Sequence, residues 1–145
     1  MSKPEEKHES LHQSVHVDCS IEAAFRLFTE SFGEWWPLAL YATAEDAESC
    51  VLEPFAGGRL FERTRSGEEH DWGCVVEWNP PAHLRFAWDP RGTGNRRETV
   101  DVEFAVEAYG TRVTVIHSGW QTTGIAVSAL AHFGHFATAE VLVTA

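Results

Sequence analysis

The sequence predicts an α+β fold in which one antiparallel sheet packs against a C-terminal helix. Apolar residues recur at every second position in six segments between residues 50 and 117, which is the period of β-strands. Glycine- and proline-containing turns separate these segments, and connections this short join antiparallel neighbours. The parts of the chain before and after these six segments have the composition of helices. Since such a sheet must cover its apolar face, we expect the C-terminal helix to lie across a curved sheet.

The first elements are a short strand and a helix. Residues 1–10 are polar and charged, and we expect a flexible tail there, followed by a single domain over residues 11–145. Ser14–Asp18 alternates as a strand, and Ser20 can cap the helix that follows. Gly33 is expected to end this helix. Its apolar stripe comprises Ile21, Ala24, Phe25, Phe28 and Phe32.

Six further strands and a final helix complete the order. The strands are expected at Cys50–Pro54, Arg59–Arg65, Asp71–Trp78, Leu84–Trp88, Thr99–Glu107 and Arg112–His117. Alternation is cleanest in the fifth of them, where Val100, Val102, Phe104 and Val106 form an apolar face. Helical composition begins at about Ile125. Gly124 and Gly134 interrupt it, and each costs about 1 kcal/mol in a helix interior, so this helix could be short, broken at Gly134 or displaced.

Charge and hydropathy exclude several classes of protein. The net charge of −11 disfavours nucleic acid, because phosphate binding needs a basic patch. The longest basic cluster, formed by Arg91, Arg96 and Arg97, reads as a solvated loop. The N-terminus lacks the apolar region of a secretory signal, and no stretch reaches the roughly 18 apolar residues that span a bilayer.

Cysteine usage indicates a reducing compartment. Cys19, Cys50 and Cys74 are odd in number and far apart, and they match neither a disulfide framework nor a CxxC metal pattern. We therefore expect three small, buried thiols in a cytoplasmic protein.

Four stretches of the sequence carry a family resemblance. They are VHVDCSIEAAFRLFTESFGEWWP, EPFAGGRLFER, GEEHDWGCVVEWNPPAHLRFAWDP and GTRVTVIHSGW. Together they resemble the bacterial Hsp90-ATPase-activator-like (AHSA1-type) family of the START/Bet v 1-like (SRPBCC) superfamily, from about Val15 to Trp120. The resemblance implies a helix-grip fold, in which a curved antiparallel sheet grips a C-terminal helix with a cavity between them. The chain departs from the family at its end, where Glu140 is the only acidic residue after Trp120 and Lys and Arg are absent.

The tryptophans suggest what such a cavity would bind. Side chains alternate along a strand, so Trp72, Cys74, Val76 and Trp78 should share one face, and Leu84, Phe86 and Trp88 one face of the next strand. Both sets could be simple core packing or the aromatic lining of a pocket. We predict ligand contacts from Trp36, Trp72, Phe86, Trp88, Phe104 and Trp120.

Polar candidates for chemistry are sparse, and we predict no catalytic residue, no metal and no cofactor. His70, Asp71 and His117 are expected to be surface or hydrogen-bonded polar residues. His132 and His135 have a metal-compatible spacing, but no third ligand accompanies them. An enzyme in this fold would need acid–base groups inside the cavity. The candidates for that role are Glu62, Arg63, Arg85, Glu103 and His117.

The sequence therefore predicts a cytoplasmic helix-grip protein that binds a hydrophobic or aromatic small molecule. One alternative is an enzyme, of cyclase or hydrolase type, acting on a hydrophobic substrate in the same cavity. Another is a chaperone-interaction module, suggested by the family label. The tail after Ile125 carries more apolar residues than one solvated helix needs, so it could sink into its own sheet or form a homodimer. Phe133→Asp or Leu142→Asp should then yield a folded monomer.

Overall fold

The structure of the protein is a computed structural model that describes residues 9–89, 98–119 and 125–144. Its elements, in chain order, are β1 (Glu9–Val17), α1 (Ile21–Thr29), α2 (Phe32–Trp35), α3 (Leu38–Tyr41), β2 (Ala47–Leu52), β3 (Arg59–Thr64), β4 (Glu69–Asn79), β5 (His83–Trp88), β6 (Thr99–Glu107), β7 (Gly110–Gly119) and α4 (Ile125–Thr144).

In the described part of the chain, seven strands form one antiparallel sheet in the order β1-β7-β6-β5-β4-β3-β2. Strands β2 to β7 follow one another as a meander, and β1 pairs with β7 at one edge. Apolar residues of the sheet and of helices α1, α2 and α4 form one core cluster. The α+β helix-grip fold is thereby confirmed, with seven strands in the expected order.

The N-terminal strand is longer than expected. We predicted a strand from Ser14 and a flexible tail over residues 1–10, but β1 begins at Glu9, whose partner on β7 is Gly119. The prediction was wrong for residues 9 and 10, because β7 extends to Gly119 and offers them backbone partners. Residues 1–8 lie outside the described part of the chain.

The first helix is capped as predicted but ends earlier. The Ser20 hydroxyl accepts a hydrogen bond from the Ala23 N–H at 3.1 Å. Helix α1 ends at Thr29, whereas Gly33 lies inside the separate helix α2. A Cβ atom at Gly33 would lie 2.5 Å from the carbonyl oxygen of Cys50. Gly33 therefore permits close contact between α2 and β2, and it does not terminate a helix.

Helix α4 begins at Ile125 as predicted and runs through Gly134 without a break. A Cβ atom at Gly134 would make ordinary contact with Val15 of β1, at 3.6 Å. The helix lies against β1 and β7. Its described buried residues are Ala129, Leu130, Phe133 and Ala137. No described helix is long and apolar enough to cross a membrane.

Two irregularities in β4 change which of its side chains face the core. The pairing register shifts once opposite Leu60 and Phe61 and again between Val75 and Glu77. Each shift adds one residue to the strand, so the buried face carries Trp72, Val75 and the half-buried Trp78. The prediction that Cys74 and Val76 share this face was wrong. Cys74 pairs with Ala87, which lies on the opposite face of β5 from Phe86 and Trp88, and Val76 is 50% exposed.

Two further expectations about burial also differ. Val106 extends the apolar alternation of β6 in sequence, but it is 72% exposed because it lies near the end of the strand. Of the three thiols, only Cys50 is buried, whereas Cys19 and Cys74 are half-buried. Burial raises the pKa of the Cys50 thiol to about 12. This thiol is therefore protonated at neutral pH.

Candidate functional site

Three indole rings meet in the interior, and we call Trp36, Trp72 and Trp88 the tryptophan cluster. Their ring centroids are 5.8 Å apart for Trp36 and Trp72, 5.8 Å for Trp36 and Trp88, and 6.2 Å for Trp72 and Trp88. All three side chains are buried. The cluster thus joins the segment after α2 to the ends of two neighbouring strands.

Local backbone geometry places each ring. The backbone N–H of Trp36 donates to the Phe32 carbonyl at 3.0 Å, which caps α2 and turns the chain toward the sheet. Trp72 sits at the first register shift of β4. The neighbouring Gly73 has no side chain, and a Cβ atom there would lie 1.8 Å from the Ala87 carbonyl oxygen. Glycine at this position therefore lets β4 approach β5 closely.

A buried carboxylate fixes the Trp72 ring. Glu62 of β3 has no exposed surface, and its Oε1 accepts from Trp72 Nε1 at 3.0 Å. The same carboxylate accepts from the backbone N–H and hydroxyl of Thr43 and from the backbone N–H of Ala44, each at 2.8 Å. Four donors therefore occupy both oxygens, and Glu62 ties the segment after α3 to the tryptophan cluster.

His117 of β7 lies beside Trp88, with the ring centroids 6.1 Å apart. It is fully buried, and its Nε2 is 2.9 Å from Glu98 Oε1. Strand register explains the position, because Phe86, Val100 and His117 are direct partners across β5, β6 and β7 and so share the buried face.

Two polar atoms at this place lack a hydrogen-bond partner among the described residues. They are Nε1 of Trp88 and Nδ1 of His117, and both are buried. Most buried polar groups in proteins are hydrogen-bonded, and leaving one unsatisfied costs about 1–3 kcal/mol. The pair therefore marks a place where a further polar group would be stabilising.

The structure brings four of the six predicted ligand contacts together. These are the tryptophan cluster and Phe86, whose ring lies 6.0 Å from that of Trp88. Phe104 lies elsewhere, against Phe25 and Phe28 of α1 at 5.1 and 5.9 Å. Phe104 lies four residues along β6 from Val100, the direct partner of His117, which is about 13 Å along a strand. Trp120 lies outside the described residues.

The candidate acid–base residues divide between the two faces of the sheet. Glu62 and His117 face the buried side, and the hydrogen bond between His117 and Glu98 agrees with the expectation that His117 is a surface or hydrogen-bonded residue. Arg63 is exposed and pairs with Glu69 at 2.8 Å, and Arg85 pairs with Asp101 at 2.8 Å. Glu103 is exposed.

Sequence reasoning missed Glu98, which orients His117. A signal was available, because Glu98 lies two positions before Val100 and therefore shares its face in an extended chain. The predicted strand began at Thr99, so this acidic residue was assigned to the loop.

The remaining polar candidates lie at the surface. His70 and Asp71 are exposed, and so are His132 and His135 on α4. The described residues contain no group of three or more His, Cys, Asp or Glu side chains that could hold a metal ion. An open depression of about 570 Å³ lies at the opposite end of the sheet, between the start of α1 and the β6–β7 turn.

Comparisons with known proteins place the chain among related domains. A family model described as Activator of Hsp90 ATPase homolog 1-like protein matches residues 18–142. No curated protein matches the sequence.

Similar solved structures include a protein from Mesorhizobium loti, with a TM-score of 0.68, 16% identity, and coverage of 94% of this chain and 99% of that one. An AHSA1-like protein from Aeromonas hydrophila has a TM-score of 0.64 and 21% identity, covering 92% and 95%. Both likenesses show the fold alone. An anthrahydroquino-gamma-pyrone synthase, solved as a complex, has a TM-score of 0.59 and 27% identity, covering 87% and 95%.

Proposed function

The chain belongs to the family of Activator of Hsp90 ATPase homolog 1-like proteins, and we propose that it binds a hydrophobic or aromatic small molecule at the tryptophan cluster. The fold of this family commonly binds hydrophobic ligands. The lining we propose comprises Trp36, Trp72, Phe86 and Trp88. Trp120 and Phe104 remain predicted contacts.

The observation that carries this proposal is the Trp88 indole N–H, a buried donor without a described partner in aromatic surroundings. In a core with no role beyond packing, this unsatisfied donor would lower the free energy of unfolding by about 1–3 kcal/mol. Ligand sites commonly combine apolar walls with a few such polar groups, which orient the bound molecule.

A fluorescence titration tests the proposal. N-phenyl-1-naphthylamine is uncharged and becomes fluorescent in apolar surroundings, and we expect saturable binding of one molecule per chain. Trp88→Leu removes an aromatic ring and its N–H, so it should weaken binding about tenfold or more. Phe55→Leu is the matched control, because Phe55 is 53% exposed. Absence of saturable binding, or equal weakening by both changes, would contradict the proposal.

A second candidate is catalysis in the same place, favoured by the contact between the buried His117 and the half-buried Glu98. A carboxylate that orients an imidazole is a common arrangement for general acid–base chemistry. The 27% identical structure is itself named as a synthase. For this chain, a cyclase or hydrolase reaction on a hydrophobic substrate is the corresponding proposal. If the protein is such an enzyme, a bound molecule should change in mass or connectivity during incubation, and His117→Leu should abolish that change.

Three further proposals concern the cellular location, the oligomeric state and the protein partners. We place it in the cytoplasm, in agreement with its free cysteines. We propose that its C-terminal tail supports a homodimer. A role as a chaperone-interaction module rests on the family name and is the third functional alternative.

A further inference from the structure

The two nitrogens of His117 have different hydrogen-bonding roles. Glu98 Oε1 lies 2.9 Å from Nε2, and an ionised carboxylate can only accept a hydrogen bond. Nε2 therefore carries the proton in this pair. In the neutral ring, Nδ1 then presents a lone pair, and this atom is buried without a described partner.

Trp88 presents the opposite role, because an indole Nε1–H can only donate. Its ring lies 6.1 Å from that of His117, at an interplanar angle of 75°. One hydroxyl oxygen with two hydrogen bonds of about 2.8–3.0 Å can connect two nitrogens that lie up to roughly 5 Å apart, because the two bonds meet at the oxygen at about 110–120°. A buried donor and a buried acceptor on neighbouring rings therefore suit a single group that both accepts and donates, which is a hydroxyl.

The surroundings determine what kind of molecule would carry this hydroxyl. Trp36, Trp72 and Phe86 supply flat aromatic surface beside Trp88. Glu62 offers no competing acceptor, because four donors already occupy its two oxygens. A carboxylate ligand would meet the Glu98 carboxylate and the net charge of −11.

We propose that the site recognises a hydroxyarene, with the ligand hydroxyl accepting from Trp88 Nε1–H and donating to His117 Nδ1. This inference rests on the proposed function, since it names the chemical class of the ligand at the same site. Glu98 acts as a positioning residue, which holds the His117 ring so that Nδ1 faces the ligand.

Three naphthalenes of nearly equal shape test this recognition by calorimetric titration of the full chain. 2-Naphthol both donates and accepts, 2-methoxynaphthalene only accepts, and naphthalene does neither. We expect 2-naphthol to bind at least tenfold more tightly than the other two, because they leave one or both protein groups unsatisfied. 2-Naphthoate should bind more weakly than 2-naphthol.

Two variants link this preference to the named atoms. Trp88→Phe retains an aromatic ring but removes the donor to the ligand oxygen, so the affinity ratio of 2-methoxynaphthalene to naphthalene should fall to near one, whatever the change in absolute affinity. His117→Leu removes the acceptor that only 2-naphthol can use, so the affinity ratio of 2-naphthol to 2-methoxynaphthalene should fall to near one. It serves as the second test should Trp88→Phe not fold.

The outcomes separate this inference from the proposed function. Equal binding of all three compounds to the unmodified protein would overturn hydroxyl recognition and leave apolar binding intact. Tighter binding of 2-naphthoate than of 2-naphthol would also overturn it, since the site would then recognise an anion. Failure of every compound, and of N-phenyl-1-naphthylamine, to bind would overturn the proposed function as well.

Discussion

Replacement of Glu62 by glutamine should destabilise the protein although the side-chain shape barely changes. Its Oε1 accepts from the Thr43 N–H and from Trp72 Nε1–H, and its Oε2 accepts from the Thr43 hydroxyl and from the Ala44 N–H. A glutamine side chain has one acceptor oxygen, and its NH₂ group can only donate. At least one of the four donors must therefore lose its acceptor.

The best placement of the glutamine determines the expected magnitude. With the NH₂ group at the position of Oε2, the Thr43 hydroxyl can rotate and accept, but the Ala44 N–H remains unsatisfied. An unsatisfied buried donor costs about 1–3 kcal/mol, and hydrogen bonds to a charged group are about 1 kcal/mol stronger than neutral ones. We expect Glu62→Gln to lower the free energy of unfolding by about 2–4 kcal/mol.

Urea denaturation at pH 7, followed by tryptophan fluorescence, measures this loss. The matched control is Glu103→Gln on the exposed face of β6, which should change the free energy of unfolding by no more than about 0.5 kcal/mol. A loss below about 1 kcal/mol for Glu62→Gln would refute the reasoning, since the four contacts could then not be acting as a buried, fully satisfied network.

Two other predictions concern surface charge and helix glycines. Hydrogen bonds from His16 to Glu107 and to Asp18 raise the pKa of His16, while the pKa of Glu107 is lowered. A histidine whose pKa is raised on folding stabilises the protein at pH values below its pKa in the unfolded chain, and this stabilisation is lost as the pH rises through its pKa in the folded protein. His16→Gln should therefore lower the melting temperature near pH 6 and have little effect near pH 9. Gly33→Ala should destabilise because its Cβ would lie 2.5 Å from a carbonyl oxygen, whereas Gly134→Ala should stabilise by up to about 1 kcal/mol, since its Cβ meets only ordinary contacts. Urea titrations that give both alanine variants the same sign would contradict this contrast.

The order of elements was predictable from the sequence because each strand repeats with period two and each turn contains glycine or proline. β6 has the predicted bounds, Thr99–Glu107. Glycine was a less reliable guide. Gly33 was expected to end a helix, and a break at Gly134 was one of three alternatives for the last helix. Gly33 instead permits a close contact with β2, and Gly134 lies within a continuous helix. Sequence alone does not distinguish a glycine that ends a helix from one that makes room for a neighbouring strand.

The candidate site was predictable only in part, because it depends on strand register. Trp72 and Trp88 lie on the same face of the sheet, yet the two shifts in β4 replaced Cys74 and Val76 by Val75 on that face. A one-residue shift moves each later side chain to the other face. The pairing of His117 with Glu98 needed the β5–β6–β7 register, which no local pattern encodes.

The C-terminal tail provides the last prediction, because the structure accounts for only part of its apolar surplus. Phe133 was expected to lie in a dimer contact, but it is fully buried, with its ring 5.1 Å from Phe28 and 5.3 Å from Trp35. Phe133→Asp should therefore unfold the protein, so this change does not probe association. Leu142, whose side chain lies outside the described part of the structure, is the better probe of association. If the tail joins two copies, Leu142→Asp should shift sedimentation toward monomer while the circular dichroism of the sheet is retained, since a buried charge disfavours the contact. An unmodified protein that sediments as a monomer throughout the micromolar range would exclude the dimer and assign the whole tail to its own core.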